Sequence, residues 1–394
     1  MIYNFDKIID RKNSFSLKWS NEALKKFFGT DDNDLLPLWV ADMDFECPKP
    51  VTDAIKKEAE SGVYGYNWHV TPSFHNAVRS WMERRHQWKV DSDWIVYSPG
   101  IVPAISMIIQ TFSSVGDKII VQPPVYYPFF DAVTQNGRAL LLNQLRYENQ
   151  TYSIDFEDFE RKAQDPLTKM FILCSPHNPV GRVWKKEELK KLGDICLEND
   201  ILIVADEIHH DLILPGNNHT LFSTISKEFE QNTILCTAPS KTFNLAGLQI
   251  SNIIIPDPKL RESFIQTISN KNGISIPNSF GIVAMIAAYN DGEEWLEQVL
   301  NYINLNFQYL EKFVKDEFLN VKYIKPEGTY LAWLDFNLTG INDEDLKKRI
   351  LNNAKVALDA GSMFGSGGEG FQRINVACPK TILEKCMERI KKVI

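Results

Sequence analysis

The sequence predicts an α/β protein: a mostly parallel sheet covered on both faces by helices, followed by a smaller α+β unit. Three observations carry this reading. From about residue 46 to 275, short uninterrupted apolar runs alternate with amphipathic stretches, and runs that are apolar at every position suit strands buried on both faces. After about residue 280 the alternation gives way to a long helical region, roughly 278–318, then strand-like segments and a terminal helix. The chain has 394 residues, more than one ordinary domain. The expected division is an N-terminal segment at 1–45 that joins the smaller unit, a large unit at 46–280 and a smaller C-terminal unit at 281–394.

The elements follow in order. The first 34 residues are polar and irregular until the apolar stretch Leu35-Leu36-Pro37-Leu38-Trp39-Val40. The runs at 118–121, 170–174, 201–205 and 233–236 read as buried strands. Between the second and third of these, residues 185–199 place Leu189, Leu192, Ile195 and Cys196 at helical spacing. No internal repeat or low-complexity segment interrupts the pattern.

Composition excludes several function classes. The formal net charge is −8, from 43 basic and 51 acidic residues, without a long basic run. Nucleic acid and anionic membranes, which select a cationic footprint, are not expected partners. The sequence begins without the basic and apolar regions of a signal peptide, and no apolar stretch is long enough to span a bilayer. The six cysteines are scattered with no CxxC pair, which suits reduced core residues of a cytoplasmic protein.

Lysine is usually a surface residue, so Lys241 needs a reason for following an apolar run, in Thr237-Ala238-Pro239-Ser240-Lys241-Thr242-Phe243-Asn244. A lysine amine can hold an aldehyde covalently, and its pKa falls on desolvation. Two other apolar runs end in polar residues: Ser175-Pro176-His177-Asn178-Pro179-Val180-Gly181 after the first, Asp206-Glu207-Ile208-His209 after the second. Ligands of open parallel sheets bind outside the carboxyl ends of the strands, so parallel pairing brings these ends to one crevice. Pyridoxal phosphate (PLP) is the aldehyde that fits them. Asp206 suits the pyridine nitrogen, whose protonation makes the ring an electron sink. Asn178 suits the ring's phenolate oxygen. Singly, Asp206 reads equally well as a helix N-cap and Asn178 as a turn residue before proline; together with Lys241 they point to a site.

A phosphate needs backbone amides at a helix start. Tyr97-Ser98-Pro99-Gly100-Ile101-Val102-Pro103-Ala104 supplies a strand end, a glycine and a proline near a helix start, so Gly100, Ile101 and Val102 are candidates, with hydroxyls from Ser240 and Thr237. Tyr126 could stack on the ring. Arg373 alternates with apolar residues in Phe371-Gln372-Arg373-Ile374-Asn375, and its planar fork suits an amino-acid carboxylate. Two patterns are set aside. Gly365-Ser366-Gly367-Gly368-Glu369-Gly370 matches GxGxxG but precedes a strand-like run, whereas dinucleotide binding needs a strand before and a helix after. Asp206, Glu207, His209, His210 and Asp211 are near neighbours on one strand end with no second ligand cluster to complete a metal set.

At these residues the chain resembles a fold-type I PLP enzyme of the class I/II aminotransferase superfamily, and within it the MalY/PatB branch of cystathionine β-lyases. The narrower likeness rests on Leu36-Pro37-Leu38-Trp39-Val40-Ala41-Asp42-Met43-Asp44-Phe45, on His177-Asn178-Pro179-Val180-Gly181-Arg182-Val183-Trp184, and on the segments around Asp206, Lys241 and Arg373. The resemblance implies an aspartate-aminotransferase-like fold with a mostly parallel seven-stranded sheet, and a homodimer with shared active sites. It assigns Lys241 to covalent cofactor attachment, Asp206 to the pyridine nitrogen, Asn178 to the phenolate oxygen, Tyr126 to stacking and Arg373 to the substrate carboxylate. It sends Tyr66 to the partner's phosphate, with Tyr64 a weaker candidate, and puts the Val40-Ala41 backbone near the substrate. His209 stands where many aminotransferases carry a tyrosine near the ring, and Gln249 where many carry a phosphate-binding arginine. The implied reaction is β-elimination on cystathionine or a related S-substituted cysteine. Amino-group transfer is the alternative, and a PLP-binding regulatory role a more distant one.

Overall fold

The computed structural model describes residues 2–68 and 71–394. A two-residue strand, β1 (Leu36–Pro37), opens the described strands. Then come β2 (Ile95–Ser98), β3 (Lys118–Val121), β4 (Ala139–Leu142) and a hairpin of β5 (Arg146–Glu148) with β6 (Thr151–Ser153). The strands β7 (Thr168–Cys174), β8 (Leu202–Asp206), β9 (Thr233–Thr237) and β10 (Ser251–Ile254) follow. The C-terminal third adds β11 (Lys322–Ile324), β12 (Leu331–Asp335), β13 (Val356–Ala357), β14 (Asp359–Ala360) and β15 (Phe371–Asn375).

Seven strands form the central sheet in the order β2-β10-β9-β8-β7-β3-β4. The pairs from β9 through β4 are parallel; β10 alone runs antiparallel to its neighbours β9 and β2. The apolar runs are explained by their two destinations. Ile120, Phe171, Leu173, Ile203, Ala205 and Leu235 enter one core, while Ile119, Val121, Met170, Ile172, Val204, Ile234 and Cys236 enter the other. Successive side chains point to opposite faces and both faces are covered, so every position is apolar.

The helix expected between β7 and β8 spans Lys186–Glu198 and buries Leu189, Leu192, Ile195 and Cys196. The single long helical region expected at 278–318 is two helices, Ser279–Asp291 and Glu293–Glu317. They break at Gly292, where an added Cβ would lie 2.4 Å from the Ala288 carbonyl oxygen. The second sheet, β11-β12-β15-β14, is antiparallel throughout. The loop at 365–370 leads into strand β15 rather than a helix, as the sequence context indicated.

The N-terminal segment is fastened to this second sheet. Strand β1 pairs in parallel with β13, Leu36 opposite Val356. Asn375 on β15 donates its amide to the carbonyls of Val40 (2.7 Å) and Asp42 (2.5 Å). The acidic residues of the Trp39–Phe45 stretch hold it in place. Asp44 accepts from Lys18 Nζ (2.8 Å) and the Trp19 indole (2.7 Å), and Arg11 pairs with Asp42 at 2.9 Å. Buried charges of this kind need such partners.

Candidate active site

The parallel register brings the three predicted strand ends together. Cys174 lies opposite Asp206, and Asp206 opposite Cys236, so the residues that follow β7, β8 and β9 emerge at one edge of the sheet. There they line a cleft of roughly 740 Å³, open mouth included, with Ala41, Gly100, Ile101, Val102, Tyr126, Asn178, Asp206, His209, Ser240, Lys241 and Gln249 among its walls.

Lys241 sits on a single helical turn, Pro239–Thr242, directly after β9. Its Nζ donates to the Ala41 carbonyl oxygen at 2.6 Å. Burial pushes the amine down to about 8, against the nearby Asp42 and aided by the Arg373 cation. An appreciable neutral fraction at ordinary pH is what a nucleophilic lysine requires. The turn that carries it is anchored from below. The Thr242 hydroxyl donates to Asp211 at 2.8 Å, and Asp211 also accepts from the Trp81 indole (3.1 Å) and His86 (2.9 Å). Burial opposes ionisation of Asp211, but His210, His86 and Thr242 together hold it well below the usual carboxylate range.

Asp206 ends β8 at the floor of the cleft. Burial raises its carboxyl to about 7, against the backbone N–H of Ile208 and the Lys241 charge. A carboxylate this short of donors is a ready partner for a cationic ring nitrogen. Asn178 follows β7. The turn to Gly181 is closed by a bond from Gly181 N–H to the His177 carbonyl (2.8 Å). Gly181 has φ +75°, and an added Cβ would meet Pro326 Cβ at 2.8 Å, so glycine is required there. Asn178 Oδ1 accepts from Arg373 Nη1 at 2.9 Å, which turns its Nδ2 donors away from the arginine. Tyr126 lines the opposite wall, its phenol kept un-ionised because burial raises it to about 12.

At the far end the helix Ile101–Phe112 begins at Gly100, whose φ of +151° suits glycine. The first N–H groups of a helix have no intrahelical acceptor and carry its positive end, which makes a seat for an anion. Ser240 flanks it. His209 is buried, its ring held neutral by burial and by the cations Lys241 and Arg373.

Other expected residues lie differently. Thr237 is fully buried, and its hydroxyl donates to the Asn252 carbonyl (3.3 Å) across the sheet rather than into the cleft. Arg373 stands behind Asn178, its Nη2 shared between the Trp39 carbonyl (2.8 Å) and Asp359. Val40 contributes its carbonyl to Asn375, and its side chain packs with Leu24, Leu35 and Trp39. Tyr64 donates to the Ala59 carbonyl (2.8 Å) and packs on Phe280, and Tyr66 is fully exposed; neither enters the cleft of its own chain.

The sequence reading missed Tyr330, whose hydroxyl shares the Ala41 carbonyl with Lys241 (2.8 Å) and whose ring meets His209 edge-on. It also missed Asp359. It found no second cluster beside His210 and Asp211, yet the structure brings His86 there, the ligating atoms of all three within 4.8 Å of one another.

The family model for "Aminotransferase class I and II" matches residues 33–390. The chain belongs to that family. It is 45% identical to the cystathionine β-lyase PatB of Bacillus subtilis (strain 168), over 98% of this chain and 99% of PatB. It is 31% identical to the protein MalY of Escherichia coli (strain K12), over 98% of this chain and 97% of MalY, which places it in the MalY/PatB branch. Among solved structures, the PLP-bound C–S lyase of Staphylococcus hominis superposes with a TM-score of 0.93 at 33% identity, covering 100% of this chain and 98% of the other.

Proposed function

We propose that this chain is a PLP-dependent carbon–sulfur β-lyase that acts on cystathionine or related S-substituted cysteines and releases a thiol, pyruvate and ammonia. The observation that carries the reading is the convergence of Lys241, Asp206 and Asn178 on one cleft, with Arg373 bonded to Asn178 behind its wall. The full-length likeness to PatB supports elimination over amino-group transfer.

The residues fit PLP. The under-satisfied Asp206 carboxyl would face the pyridine nitrogen and the Asn178 amide the phenolate oxygen. Tyr126 would flank the ring, and the helix start at Gly100, Ile101 and Val102 with Ser240 would take the phosphate. Gln249 on the cleft wall leaves that phosphate site without an arginine from this position. When bound, the cofactor supplies a sink for negative charge developing at Cα of an attached amino acid. Arg373, steadied by Asn178, binds the substrate α-carboxylate and so fixes which bond at Cα faces Lys241. Lys241 Nζ takes the Cα proton as general base, and the Ala41 carbonyl 2.6 Å away orients the amine. With the cofactor bound, Asp206 would be held as a carboxylate by the cationic ring nitrogen it faces. His209, held neutral, leaves the cleft floor without a further cation.

The reading extends to assembly and location. Val63, Tyr66 and Trp68 are 78%, 105% and 84% exposed along one segment, which supports a homodimer in which Tyr66 reaches the partner's phosphate site. The smaller unit in this proposal comprises residues 1–45 and 281–394, and the larger 46–280. All six cysteines are free and five of them buried, which supports a cytoplasmic protein; among the described residues no helix is long and apolar enough to cross a membrane.

The test is release of thiol and pyruvate from L-cystathionine by PLP-loaded protein without added keto acid. Equal release of both is expected. No pyruvate, but amino-group transfer once a keto acid is supplied, would overturn elimination in favour of transfer.

A further inference from the structure

Asp359 and Arg373 face each other across the β14–β15 pair, directly opposite in register. Both are almost wholly buried, at 2% and 3% exposure. An arginine presents five N–H donors. Here the two on Nη2 go to the Trp39 carbonyl and Asp359, and one on Nη1 goes to Asn178. The Nε donor is buried without a partner. A guanidinium offers a carboxylate two double-pronged edges, Nε with Nη2 and Nη1 with Nη2. Both include Nη2. A substrate carboxylate that binds Arg373 in two-pronged fashion therefore meets Asp359 at the same nitrogen.

We propose that Asp359 is a resident counter-ion of the carboxylate-binding arginine: it neutralises and orients Arg373 until substrate arrives, then takes up a proton as the substrate carboxylate replaces it. The inference rests on the reading of Arg373 as the α-carboxylate site. Two carboxylates on one buried guanidinium cannot both stay ionised without a large penalty, and the pair resolves it by protonating one member. Burial already raises Asp359 above the ordinary carboxyl range despite Arg373. The other titratable groups facing it are Tyr126 and Tyr127, from the segment entering the helix Pro128–Thr134. Burial raises both phenols, so neither supplies a competing negative charge. Asp359 is thus a positioning residue that sets how strongly, and at what pH, the site selects a carboxylate.

The experiment measures binding of 3-(methylthio)propanoate, a thioether carboxylate with no amine, to the PLP-loaded protein through the cofactor absorbance, from about pH 6 to 9. In wild type, affinity should fall with rising pH. Asp359→Asn should bind at least about tenfold more tightly at the upper end and show a shallower pH profile, while Asp359→Glu, which keeps the carboxylate, retains the wild-type slope. Other titrating groups are common to all three proteins and cancel in the comparison. Asp359→Ser serves as a second neutral variant if the asparagine protein folds poorly. Parallel profiles for wild type and both neutral variants overturn the proposal, as does a probe affinity unchanged in Arg373→Ala, which removes its premise. The probe cannot undergo elimination, so a failed thiol-release assay would sink the lyase reading and leave this result readable.

Discussion

The amine of Lys241 lies 2.6 Å from the carbonyl oxygen of Ala41, a residue two hundred positions earlier in the chain. The hydroxyl of Tyr330 reaches the same oxygen at 2.8 Å. One backbone carbonyl thus ties the residues that follow the central sheet, the N-terminal segment and the edge of the second sheet together at the candidate site.

Replacing Lys241 by alanine should abolish pyruvate release from cystathionine by at least about a thousandfold, because base and attachment point vanish together. The cofactor's protein-linked absorbance should disappear as well. A variant that keeps this absorbance would move the attachment point to another residue.

Asp206 gives a pH signature in the cofactor-free protein. Its carboxyl is raised from 3.8 to about 7 in the fold, so the folded state binds the proton more tightly than the unfolded chain. The stability this contributes is complete below 3.8 and is lost as the pH climbs to about 7. Denaturant unfolding of wild type should weaken across that window relative to Asp206→Asn, which has nothing to titrate, by on the order of a few kcal/mol. Curves that stay parallel count against a buried uncharged carboxyl.

Asp211→Asn should lower stability by about 3 kcal/mol, since it removes the charge around which His86, Trp81 and Thr242 are arranged. Thr242 neighbours Lys241, so elimination should also slow. Calorimetric melting and a kcat measurement check the two effects separately. An unchanged melting temperature would mean that the neutral amide satisfies the same donors.

Tyr66→Ala should weaken PLP retention without altering secondary structure, because the ring is fully exposed in its own chain and, in the proposed homodimer, would reach the partner's phosphate site. Sedimentation of the wild-type protein should show a dimer. A monomer at micromolar concentration that retains PLP would remove this role.

What the sequence made legible follows from strand physics. Runs such as Ile119–Val121 and Ile203–Ala205 are apolar at each position because each face of the sheet has its own core, and the polar residue that ends such a run is conspicuous. Asn178, Asp206 and Lys241 were readable for that reason. Residues that act through register were not. Asp359 becomes the partner of Arg373 only once β14 and β15 are aligned, and Tyr330 meets Ala41 across 289 positions. His86 reaches Asp211 from a helix 125 residues away. Where the Thr237 hydroxyl goes was not readable either, because its acceptor is the carbonyl of Asn252, the residue paired with it on β10. The split at Gly292 was missed because the close approach to Ala288 leaves no trace in hydropathy.

The pairing of Leu36 with Val356 sets an order of events during synthesis. The first strand to leave the ribosome waits for a partner some three hundred residues later, and Asn375, which grips the Val40 and Asp42 carbonyls, arrives later still. The central sheet can close beforehand, since its strands end at Ile254. Its early segment remains unfastened until translation is nearly complete, when contacts of such sequence separation first become possible. A chain cut short before Arg373 would carry Lys241 and Asp206 but lack the arginine that the proposed function assigns to the substrate carboxylate, so on that reading only the finished chain could hold a substrate.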